Sequence, residues 1–141
     1  MRSIGIPTIA LLLGLIATSV RADVDTPNSE RQAIIGVILA QVEAFASDDA
    51  ERAWGLASDA VQQRFGSPEV FVGMVRSEYP AIYGAESLEF LEPIPHPGFL
   101  IQPVFLRGPD GHYWDAYYRM SWQDGTWRIA GVTLKRAEAG I

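Results

Sequence analysis

The chain contains no cysteine. That excludes disulfide bridges, thiolate metal sites, a cysteine nucleophile and the modified cysteine of a bacterial lipoprotein leader. Basic residues are scarce: 11 Lys and Arg stand against 17 Asp and Glu, a formal charge of −6. Phosphate neutralisation needs clustered cations, so nucleic acid is not an expected partner. The two histidines, His96 and His112, form no H-x-H or H-x-x-x-H spacing, and neither a metal nor any other cofactor is expected. A G-x-S-x-G elbow and a glycine-rich phosphate loop are absent. Asp23-Val24-Asp25 is too short for a calcium loop. Charged residues make up only 20% and hydrophobic residues 48%, so a core can be buried, and 141 residues make one domain.

Long apolar runs are missing except at the start. Ile4 to Ile16 follows Arg2 and has the length of a signal-peptide core. The spacing predicts a signal peptide over 1–22, cut after Ala22, with a cut after Ser19 as the alternative. An uncleaved anchor is the competing reading, but Ile4 to Val20 falls short of the roughly 20 residues that span a bilayer. Cleavage removes Arg2 and Arg21, so the formal charge of −6 becomes −8. The expected product is exported, periplasmic or secreted, and off the membrane once the leader is cut.

What remains divides into a flexible lead-in at 23–28, a domain at 29–136 and a flexible tail at 137–141. Ser29 with Gln32 fits a capping box and opens a helix over 29–46. Ile34, Ile38, Val42 and Phe45 form its buried stripe, with Gln32, Gln41, Glu43 and Ser47 on the opposite side. Asp48 with Glu51 opens a short second helix, and Ser58-Asp59 restarts it towards a C-cap at Gly66. Ser67-Pro68-Glu69 combines an N-cap, a first-turn proline and an acid against the dipole. That third helix buries Phe71, Met74, Val75 and Tyr79, and Pro80 sets its end.

From there the pattern changes. Twelve of the fifteen aromatics lie from Phe71 onward. Alternating or apolar runs predict four strands: Leu88 to Ile94, Gly98 to Arg107, His112 to Trp122 and Trp127 to Arg136. Pro103 places the second strand at an edge or a bulge. Asp124-Gly125 is a hairpin turn. Helices first and then a meander of four antiparallel strands give an α+β fold, helices packed on one face of a curved sheet.

VILAQVEAFASDDAERAWGLAS (37–58), FGSPEVFVGMVRSEYPAIY (65–83) and DGTWRIAGVTL (124–134) resemble the bacterial domain of unknown function 4864 family, over about residues 30–136. The element order also resembles the nuclear transport factor two-like superfamily, whose fold is a cone: a curved antiparallel sheet wrapped over a long helix. The family resemblance implies fold and export and carries no activity. Superfamily relatives include isomerases, dehydratases, cyclases and non-enzymatic binding domains, so fold alone does not choose among them.

The third strand carries the most information. His112, Trp114, Ala116, Tyr118, Met120 and Trp122 share the parity expected to face the helices. Trp114, Tyr118 and Trp127, joined by Met74, Tyr79 and Tyr83, are the expected wall of a ligand pocket, or else plain core. Asp115, Tyr117 and Arg119 share the other face. They make a solvated ladder there, or a surface through which two copies associate. Asp48, Asp49 and Glu51 suit a helix N-terminus without further chemistry. The sequence therefore points first to a non-catalytic module that holds a small apolar molecule or associates with protein. A lyase or isomerase is the alternative, and it requires Asp115, Glu78 or His112 to be buried in a pocket.

Overall fold

A computed structural model describes Gly5 and residues 27–138, so the expected leader, apart from Gly5, lies outside the described residues. Five helices precede five strands. Helix α1 runs Pro27–Ala46, α2 Ala50–Gly55, α3 Asp59–Phe65, α4 Pro68–Glu78 and α5 Pro80–Tyr83. Strands β1 (Ser87–Phe90), β2 (Ile94–His96), β3 (Phe99–Arg107), β4 (Tyr113–Gln123) and β5 (Thr126–Arg136) form one antiparallel sheet. The order is β1-β3-β4-β5, with β2 pairing β3 on the side that β1 also uses. The fold is α+β, and no helix among the described residues is long and apolar enough to cross a membrane.

Local chemistry explains most helix boundaries. Ser58 and Ser67 accept from the N–H groups of Val61 (3.3 Å) and Val70 (3.2 Å), capping α3 and α4. Gly66 ends α3 at φ 80°, a left-handed position that glycine takes without a steric penalty. Two starts differ from the expected ones. Helix α1 begins at Pro27 rather than Ser29, with the proline in the first turn, where its missing N–H is harmless. The N-cap of α2 is Asp49, whose carboxylate accepts from Arg52 N–H at 3.2 Å, while Asp48 takes a left-handed φ of 53° ahead of it. Gln41 is also corrected. It is buried at 4% exposure, because its spacing of seven from Ile34 and three from Ile38 puts it on their face.

The sheet has five strands rather than four because the prolines after Phe90 divide the first one. The pairing of β3 passes from Phe90↔Val104 to Ile94↔Ile101. Pro103 lies opposite this break and is central, not at an edge. It lacks an N–H for the Leu91 carbonyl, and the buried Gln102 side chain donates there instead, at 2.8 Å. Leu91 N–H completes the exchange with the Pro103 carbonyl at 3.1 Å. Asp124 (φ 51°) and Gly125 (φ 77°) form the two-residue turn between β4 and β5. Further along this pair Arg119 faces Gly131 but Met120 faces Ile129, so Ala130 bulges out.

One core joins the layers. Ile34, Ile38 and Phe45 of α1 pack with Val104, Leu106, Ala116 and Met120 of the sheet. The expected inward parity of β4 holds at Ala116, Tyr118 and Met120. Trp122, at the turn, is 59% exposed. The link between α2 and α3 is stitched to β5: Ser58 N–H donates to the Ile129 carbonyl and Ile129 N–H to the Leu56 carbonyl, both at 2.9 Å. That stitch holds α3 beside the bulge.

Candidate functional site

Between α3, α4 and the bulged part of β5 lies a cleft of about 450 Å3. Its origin is geometric. Helices α3 and α4 are short, and the strand beneath them offers Ala130 and Gly131, which fill little space. Phe45, Val61, Phe65, Phe71, Met74, Val75 and Ile82 supply an apolar wall. Trp54 and Phe65 pack against Phe71 at ring-centroid distances of 5.8 and 5.9 Å, which holds that wall in place.

Residues with polar groups border the cleft. Gln41 donates from Nε2 to the Ala53 carbonyl at 3.1 Å, which leaves its amide oxygen as the acceptor it can offer. The Tyr118 ring lines the cleft, and its hydroxyl is buried with no hydrogen-bond partner. Burial raises the Tyr118 pKa well above the ordinary phenol value, so the hydroxyl stays protonated. Arg64 and Glu78 bring one charge of each sign to the rim. A second, more open recess adjoins, lined by Glu78, Tyr79, Trp114, Val132 and Leu134. Glu78, Tyr79 and Val132 border both.

Of the six expected wall residues, Met74, Tyr79 and Tyr118 line the cleft. The other three stand elsewhere. Trp114 lines the second recess, with its indole N–H buried and without a partner. Arg136 lies over its ring at 5.6 Å. Trp127 meets Trp122 edge-on at 5.3 Å near the hairpin turn. Tyr83 is tied outward: its hydroxyl donates to Asp48 and accepts from Arg76 Nη2 at 2.9 Å. That bond raises the Arg76 pKa above the usual guanidinium value.

The groups required for acid–base chemistry do not converge. Glu78 and His112 are exposed, and Asp115 lies on the sheet face away from the helices. His112 belongs to the β3–β4 turn, where its backbone N–H (3.0 Å) and Nδ1 (2.8 Å) meet the Asp110 carboxylate. Those contacts hold the Asp110 pKa below the ordinary carboxylate range. His96 stacks on Phe99 at 4.7 Å. Among the described residues no three His, Asp or Glu side chains are placed to hold a metal ion.

Sequence reasoning missed Gln41, Arg64, Phe65 and the floor at Ala130 and Gly131 as cleft residues. A signal existed for Gln41 in its helical spacing. The floor depends on a bulge that pairing partners create, and no local pattern announces it.

No curated protein matches the chain. Residues 27–140 match the family model described as Domain of unknown function (DUF4864). Since that match spans most of the sequence, the chain belongs to this family.

Proposed function

We propose that this chain is an exported, non-catalytic domain that holds a small apolar or amphipathic molecule in the cleft between α3, α4 and β5. The observation that carries the reading is an apolar cleft of about 450 Å3 with only a few polar groups at its border, the Gln41 amide, Arg64 and Glu78. The volume lies within the usual range for small-molecule sites, and the mix of apolar wall and few polar groups is typical of them. The apolar leader at 1–22 supports export. Native mass spectrometry of protein purified without detergent tests the binding reading. A co-purified small molecule that Met74→Trp displaces is expected; bare protein that no apolar compound stabilises against heat contradicts it. The intact mass of protein recovered from the cell envelope tests export, with Asp23 as the expected first residue.

A second reading concerns the outer sheet face. Phe105 stacks on Tyr113 at 5.1 Å, and Arg119 lies over Phe99 at 4.0 Å. Tyr117 sits two residues from both Asp115 and Arg119, so two copies packed face to face with strands reversed would set each arginine against an aspartate. This supports a homodimer. Light scattering should give twice the chain mass, falling to one chain mass in Arg119→Asp; a single chain at micromolar concentration excludes it.

A further inference from the structure

Resting on the reading of the cleft as a binding site, we infer that its ligand is a cationic amphiphile, with an apolar body in the cleft and an amine or ammonium head beside Glu78. The two rim charges are not equivalent. Arg64 is in the last turn of α3, where the helix dipole favours a cation, and it lies 5.4 Å from the Phe65 ring centroid. Glu78 is the last residue of α4, where the same dipole disfavours an anion. Among the described residues Glu78 forms no ion pair: Arg76 reaches Asp48 at 3.7 Å and the Tyr83 hydroxyl, and Arg136 lies over Trp114. Glu78 is thus an uncompensated carboxylate at a helix C-terminus.

Its position makes the charge useful. Glu78 and Tyr79 border both the apolar cleft and the second recess, so a head group placed between the two leaves its chain free to enter the cleft. The Tyr79 side chain, half-buried and packed against the core, borders both recesses beside Glu78. The surplus of 17 acidic over 11 basic residues favours approach of a cation over an anion.

Calorimetry with three probes of equal chain length tests this: octyltrimethylammonium, 1-octanol and octanoate, each below micelle-forming concentration. The ammonium should bind about fivefold tighter than octanol, as suits a rim-exposed ion pair, and octanoate more weakly than either. In Glu78→Gln the ammonium and octanol affinities should converge to within about twofold of each other. In Arg64→Gln the order should stay as in the parent. Equal binding of all three probes, tighter binding of octanoate, or an ammonium preference that survives Glu78→Gln overturns the cationic head while leaving the cleft. Failure of octanol and ammonium alike overturns the cleft itself.

Discussion

The two ends of the helix–sheet interface are built from similar residues and finished differently. At the α1 end, Ile34 and Ile38 of the helix and Leu106, Ala116 and Met120 of the sheet are all fully buried, and a 20-residue helix covers the strands. Beneath α3 and α4, two helices of 7 and 11 residues face a strand that bulges at Ala130, and a cleft remains. Apolar content does not separate these ends, since Phe45, Phe71 and Ile82 wall the cleft as well. Helix length and floor bulk do. A protein can keep a solid core and an open one on the same sheet by choosing what lies under its shorter helices.

The contrast is broken most easily by truncation. Ile38→Ala should destabilise the protein by about 2–5 kcal/mol, the range for large-to-small changes in packed cores. Met74→Ala, at the half-buried cleft wall, should cost about 1 kcal/mol, because its neighbours there include open space. Urea unfolding of both variants decides; equal losses would mean that the cleft end is packed as tightly as the other. Filling rather than emptying is the converse. Met74→Trp should weaken octanol binding at least about tenfold while shifting stability by no more than about 1.5 kcal/mol, read by calorimetry and thermal melts.

Alkaline pH separates the ends by charge. The folded-state pKa of Tyr118 is raised by burial, so the folded state keeps a proton that the unfolded state releases near pH 10. Its contribution is fully present below that pH and is lost as pH rises through the folded value, at about 1.4 kcal/mol per pH unit. Tyr118→Phe should flatten that limb between pH 10 and 11 in denaturation titrations; an unchanged slope would place the hydroxyl in water. The smallest effect is expected from the same variant at pH 7. Removing an unpartnered hydroxyl should leave stability unchanged or raise it by up to about 1 kcal/mol, and a loss near 2 kcal/mol would reveal a hydrogen bond at that group.

The parts of this architecture that local chemistry decides were legible in the sequence. Ser58, Ser67 and Gly66 cap or end helices as their types demand, Asp124-Gly125 turns the hairpin, and the parity of Ala116, Tyr118 and Met120 follows from alternation. What escaped was decided by partners distant in the chain. Gln102 replaces the donor that Pro103 lacks for Leu91, 11 residues away, which is why a proline can sit in a central strand. The stitch of Ser58 to Ile129 and the bulge at Ala130 place the cleft, and neither leaves a mark in composition. Trp114, Trp127 and Tyr83 lie away from this cleft for the same reason: aromatic type predicted burial, but helix length and strand register chose which aromatics meet.

The most direct test uses the two methionines of the described residues. Met74 lines the cleft, while Met120 lies fully buried in the solid core. With 13C-labelled methionine methyl groups, titration with 1-octanol should move the Met74 signal saturably and leave Met120 nearly still. A Met74 signal that does not respond, or one that moves only in step with Met120, would contradict the existence of a ligand-binding cleft.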